Sequence, residues 1–292
     1  MDSRLISLVS YSYKFVNKVV VSAFVERWQP EANTFHLPFG EMSPTLDDFN
    51  AILGILVIGK SVSCKKLLNV DAANMLAEAL GVTIDEANVA LKVAQGQSIK
   101  VEWLRQRFRS MSDADNDNTI ECVARGAAAL AFLYQQLGTA TRYAVKQMAG
   151  YMTLLEARIY EHFVSARTHP NLDYKEDQPH VFHWISRTQS GSSTSILQRL
   201  REDLDRLEAH GVIWDLYHDK RIEHSFFDVA YYSGCLKYMH IIEPYHPDRV
   251  LRQFGRVKII PLPLFAPVRA SRGSTAKQYN IAYKYLDTIW KS

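Results

Sequence analysis

The segment that most constrains the fold is Val25–Asp48, VERWQPEANTFHLPFGEMSPTLDD. Thr34–Pro38 alternates in character and lies between turn residues, which predicts a short strand. Gly40 and Glu41 predict a turn after it. Thr45 with Asp48 three positions on has the form of a capping box, Pro44 suits a first helical turn, and Ser43 is the other candidate cap. Gly54 supplies the residue that tolerates a left-handed backbone at a helix end. A chain that passes from strand to helix this quickly must set a small β element against helices. Leu56–Ile58 predicts a second short strand in that element.

The rest of the pattern is helical. Leu5, Leu8, Val9, Val16, Val19, Val20, Ala23 and Phe24 recur at helical spacing and predict a first helix ending near Trp28 and Pro30. Further helices are predicted over Asp71–Leu80, over a stretch capped by Thr83 and Glu86 and reaching Ala94, and over Val101–Met111, Ile120–Leu137, Val145–Phe163, Ile196–His210 (capped by Ser195), Arg249–Phe254 and Lys277–Trp290. Gln189–Ser195 reads as a flexible internal loop, with the candidate span taken as 187–195. Pro261, Pro263 and Pro267 predict an extended segment. The expected fold class is therefore mainly α, a single helical domain over 1–292 with a small β element near the N-terminal signature.

Charge narrows the function classes. With 34 basic and 31 acidic residues the net charge is +3, so a nucleic-acid site would have to be a local patch. The best local patch is Arg249, Arg252, Arg256 and Lys258, with Arg269, Arg272 and Lys277 beyond it. Arg249 and Arg252 are three apart and share a helix face, a spacing suited to phosphates. The alternative for this stripe is a solvated face paired to the acidic Glu202–Asp203 region. Cys64, Cys122 and Cys235 are far apart with no CxxC, which reads as reduced thiols rather than a metal or disulfide framework. No run approaches the length of a membrane-spanning helix.

Catalytic readings find little support in the residues. Glu41, Asp47 and Asp48 could hold the metal ions of a nuclease. Asp47 and Asp48, however, fall in a first helical turn, where negative charge complements the helix dipole. His180 and His183 could supply two metal ligands, yet no cysteine or acidic pair stands near them in sequence. The acidic loop Ser112–Thr119 lacks the central glycine and final glutamate of a calcium loop. No GxSxG elbow and no glycine-rich phosphate loop occurs. The expected assignments are no catalytic residue, no metal and no cofactor.

Five blocks carry a resemblance. They are the opening segment, GAAALAFLYQQLGTATR at Gly126–Arg142, KQMAGYMTLLEARIYEHF at Lys146–Phe163, GVIWDLY at Gly211–Tyr217, and YSGCLKYMHIIEPYHPDRVLRQFG at Tyr232–Gly255. In this order they resemble the plant mobile domain family, which includes maintenance-of-meristems proteins, the long form of protein phosphatase 7 and domains of plant transposable elements. The chain departs from the family pattern where Arg125 runs directly into Gly126, as if an internal segment near 125–126 were missing. It also carries Arg158 where tryptophan is common, and an upstream portion of the family domain is expected to be absent.

The resemblance implies a non-enzymatic nuclear interaction domain acting in gene and transposable-element silencing and genome maintenance. Its implied partners are other plant mobile domain proteins, the phosphatase-like long form, or chromatin. An "aminotransferase-like" label attaches to the family, but the lysine, acidic partner and phosphate cup that such chemistry needs are not legible here. Arg27, Trp28, His36, Glu41 and Asp47 carry the signature. They read either as a recognition surface or as a structural knot, with Trp28 in the core, Arg27 bridged to Glu41 or Asp47, and His36 on a small sheet. The alternative function is a direct DNA-binding module using Arg249, Arg252, Arg256 and Lys258.

Overall fold

Asn17 starts the first described helix. Its side chain accepts from the backbone N–H groups of Val19 and Val20, and its backbone is extended, so α1 is Lys18–Val25 and does not run through from the upstream apolar positions. The computed structural model describes residues 16–54, 82–93, 126–142, 150–176, 178–186, 193–218, 228–238 and 241–264, with single positions at 73, 74, 77, 103 and 148. The expected strand Leu56–Ile58, the loop 112–119, the internal segment 187–192 and the helix Lys277–Trp290 lie outside them, as do Cys64 and Cys122. The chain forms two compact units, residues 13–62 with 126–292 and residues 1–12 with 63–125.

In the larger unit α1 buries Val20, Val21, Ala23 and Phe24, so packing overrides the modest helix propensity of its valines. The chain then forms an antiparallel sheet of β1 (Trp28–Gln29), β2 (Thr34–Leu37) and β3 (Gly40–Met42). Trp28 faces Phe35, and His36 faces Glu41. The expected turn at Gly40 and Glu41 is thus a strand, and the reversal falls on Pro38 and Phe39. Asn33 adopts the left-handed region, φ 52°, which asparagine tolerates. Its amide donates to Glu243 Oε2 and to the Pro244 carbonyl.

Thr45 caps α2 (Leu46–Leu53) with the expected box: the Asp48 N–H donates to Thr45 Oγ1, and the Thr45 N–H donates to Asp48 Oδ2. Pro44 stands before the cap rather than in the first turn. Gly54 ends α2 with φ 64°, and a Cβ there would lie 2.9 Å from Pro179 Cγ, so both conformation and close approach select glycine.

The smaller unit contains α3 (Ile84–Val93), capped by Thr83 and Glu86 as the sequence predicts. Ala73, Val82 and Ala87 form its core with Ala77, Leu91 and Trp103 against them.

Returning to the larger unit, α4 (Gly126–Arg142) buries Leu130, Ala131, Leu133, Tyr134 and Leu137. Next comes α5 (Met152–His162), whose residues from Thr153 to His162 are all buried. It begins later than the expected Val145, because Gly150 takes φ 106° and Tyr151 is not helical. An excursion follows through β4 (His169–Pro170), a 3-10 turn at His180–His183, and β5 (Trp184–Ile185). α6 (Ser193–Asp205) starts before Ser195, which is inside the helix and not its cap, and buries Leu200 and Leu204. β6 (Gly234–Tyr238) and β7 (Ile241–Tyr245) make an antiparallel pair beside α4, and β7 is buried throughout. A 3-10 helix, Pro247–Phe254, closes on Gly255 in the left-handed region. Residues 256–264 then follow outside any helix or strand. The fold is mainly α with small antiparallel sheets.

Candidate functional site

The signature hairpin is held from three sides. Trp28 is core, packed edge-on against Phe35 with ring centroids 4.8 Å apart and tilted on Tyr134 at 5.2 Å. Arg27 does not bridge to Glu41 or Asp47. Its Nη2 reaches Asp205 Oδ1 at 2.9 Å and the Arg201 carbonyl at 3.0 Å, tying the hairpin to α6. Asp47 is buried in the first turn of α2. His36 lies on the exposed side of β2, 4.0 Å from Glu41.

Glu41 takes its guanidinium from the far end of the chain. Arg249 Nε and Nη2 donate to its two carboxylate oxygens at 2.6 and 2.7 Å, a bidentate pair, and Thr34 Oγ1 adds a third donor at 3.2 Å. Burial pushes the Glu41 carboxyl up, but Arg249 overrides that and holds it below the ordinary value. Arg249 is therefore committed to an internal pair, and the Glu202–Asp203 region does not serve it.

The remaining cations of the stripe stay exposed. Arg252 lies over the Trp214 ring at 5.2 Å and reaches the Phe39 carbonyl at 3.5 Å, while Phe39 meets Trp214 edge-on. Arg256 lies over Tyr231 at 4.1 Å. Phe39, Glu41, Trp214, Arg249, Arg252 and Lys258 line a small open crevice beside the hairpin turn. An aromatic face under each guanidinium orients it and leaves its edge for an anionic group. Val250 breaks helical geometry with φ −119°, so Arg249 turns inward while Arg252 turns out, although both border the crevice.

Two polar clusters form around charged residues of α5, Arg158 and Glu161, whose partners were not legible in the sequence. Arg158 lies inside the fold. It is 1% exposed, and its Nε donates to Asp48 Oδ2 at 3.1 Å. Burial alone would raise the Asp48 carboxyl, yet Arg158 and His162 bring it down to about 2. His162 also bonds the Ile213 carbonyl through Nδ1 at 2.6 Å. In the second cluster the fold supplies the acidic partner that His180 and His183 lack in sequence. Glu161, 4% exposed, brings Oε1 within 3.0 Å of His183 Nδ1 and 3.5 Å of His180 Nδ1. The sequence signal for both was charge on a helix that is otherwise all core.

Comparison with known proteins fits these blocks. The family model described as plant mobile domain matches residues 4–116 and 113–291. The two stretches meet just before the Arg125–Gly126 join. Protein MAINTENANCE OF MERISTEMS of Arabidopsis thaliana is 28% identical over 88% of this chain and 60% of its own length. Protein MAIN-LIKE 1 of the same plant is 27% identical over 85% of this chain and 56% of its own. The serine/threonine-protein phosphatase 7 long form homolog of A. thaliana is 26% identical over 84% of this chain and 22% of its own. The chain thus spans less than two thirds of the length of these relatives. No solved structure matches. From the core-forming signature hairpin to the match across nearly all of its length, this chain belongs to the plant mobile domain family.

Proposed function

We propose that the chain is a non-enzymatic protein-interaction domain of the nucleus, acting in the silencing of genes and transposable elements and in genome maintenance. Its partners would be other plant mobile domain proteins, among them the phosphatase-like long form. The observation that carries this reading is the segment after the 3-10 helix. Val257 is 85% exposed and Ile260 92%, with Ile259 and Leu262 also more than half exposed. Exposed apolar side chains this close together, with Arg256 before them and Lys258 among them, suit an interaction surface. Co-purification with the plant mobile domain of the phosphatase-like relative tests it. The native chain should form a complex, and Val257→Asp with Ile260→Asp should weaken it at least about tenfold, as loss of central apolar anchors does. A complex indifferent to both changes would remove this surface from the account.

A second reading, direct DNA binding, is favoured by Arg252 and Arg256 on their aromatic supports with Lys258 between the apolar positions. It predicts affinity that falls steeply with salt. Arg252→Glu with Arg256→Glu should abolish binding to duplex DNA at low salt. Unchanged affinity, or no binding by the native chain, would leave the protein-interaction reading alone.

A further inference from the structure

We propose that Glu161, His180 and His183 form a binding site for one divalent transition-metal ion, with zinc the best match. The three ligand atoms all lie within 4.8 Å of one another. Zinc bonds of about 2.0–2.2 Å in tetrahedral geometry place ligand atoms about 3.4 Å apart. The Glu161 distances of 3.0 and 3.5 Å to the two imidazoles bracket that spacing, so small ring movements complete it.

The arrangement is built, not incidental to a mobile surface. Both histidines belong to one 3-10 turn, where side chains at i and i+3 eclipse and so point the same way. Glu161 is in the last turn of α5, within its buried stretch from Thr153 to His162. Trp184 Nε1 donates to Glu161 Oε1 at 2.8 Å, the kind of outer contact that orients a ligating carboxylate. Tyr174 stacks on the His183 ring at 4.8 Å, and Tyr217 meets His180 edge-on at 5.0 Å, which fixes both planes. His180 Nδ1 is buried without a hydrogen bond, a lone ring nitrogen aimed at the carboxylate.

The ligand chemistry selects the ion. Two imidazoles and one carboxylate suit zinc and its neighbours, whereas calcium and magnesium take oxygen donors. Three protein ligands leave a further coordination position. The His183 side chain is 34% exposed, so water can reach that side. A bound ion would take the place of the direct His183 contact to Glu161, and would pin the 164–185 excursion to the end of α5.

The test uses the whole chain, stripped of metal by a chelator. Zinc titration by calorimetry at neutral pH should show one saturable site that the ligands below account for. Cobalt in place of zinc should give the intense visible bands of a tetrahedral nitrogen and oxygen site. His183→Ala and Glu161→Gln should each weaken zinc by about 100-fold or more, since loss of a supporting contact alone costs 10–100-fold. Circular dichroism establishes that each variant is folded. The wild-type titration can overturn the proposal even if a variant misfolds. Absence of saturable zinc binding overturns the proposal. So does zinc affinity unchanged in the folded variants, which would place the ion on other histidines or cysteines.

Discussion

Replacing Asp48 with alanine is expected to destabilise the larger unit by about 3–5 kcal/mol, because it leaves the buried Arg158 guanidinium without its counter-charge. The same change removes the capping box of α2, a contact worth about 1 kcal/mol. Chemical denaturation followed by far-ultraviolet circular dichroism measures the loss. A cost below about 1 kcal/mol would mean that Arg158 finds water. The double change Asp48→Asn with Arg158→Met should recover much of the deficit, since removing both charges also removes their desolvation. The pH dependence has a definite sign. Arg158 and His162 hold the Asp48 carboxyl at about 2, against 3.8 for an unperturbed aspartate, so the folded carboxyl is depressed. Its contribution is complete above the unperturbed value and is lost as pH falls from 3.8 towards 2. Asp48→Asn should flatten that part of the acid-unfolding curve.

The second large effect belongs to Trp28. Trp28→Ala empties a site that is 2% exposed and walled by Phe35 and Tyr134, and should cost about 3–5 kcal/mol. Trp28→Phe should cost well under half of that. The indole Nε1 has no hydrogen-bond partner in its buried position, so phenylalanine forfeits ring volume but no bond. The same denaturation experiment ranks the two variants, and equal losses would show that the indole nitrogen contributes. If Trp28 were a recognition residue rather than part of the core, neither change would alter stability.

Local chemistry was legible before the fold. Thr45 with Asp48 and Thr83 with Glu86 cap helices as their spacing predicts, and Gly54 ends α2, because those interactions span three or four residues. The strand Thr34–Leu37 was readable from its alternation, and the mainly α class from helical periodicity. Side-chain pairing across the fold was not. Arg27 meets Asp205, Glu41 meets Arg249 and Asp48 meets Arg158 only because the topology delivers them to one another. Nothing local distinguishes Glu161 as the neighbour of His180 and His183. Gly40 and Glu41 look like a turn in sequence, but pairing with Leu37 and His36 makes them a strand. Likewise the periodicity of the first apolar run conceals the break at Asn17, which depends on its own side chain and on Glu156 accepting its N–H.

The contacts that secure the signature hairpin have a consequence for the nascent chain. Asn33 to Glu243, Glu41 to Arg249 and Ser43 to Gln253 join residues 210, 208 and 210 positions apart. The hairpin therefore leaves the ribosome long before its partners exist. At ordinary elongation rates of about 5–20 residues per second, it waits about 10–40 s for them. During that interval Asn33, Glu41 and Ser43 lack these C-terminal partners, and closure depends on high contact order rather than local assembly. Completion of the hairpin's contacts is thus timed by the C-terminal block, the last of them becoming available only once Gln253 has been made.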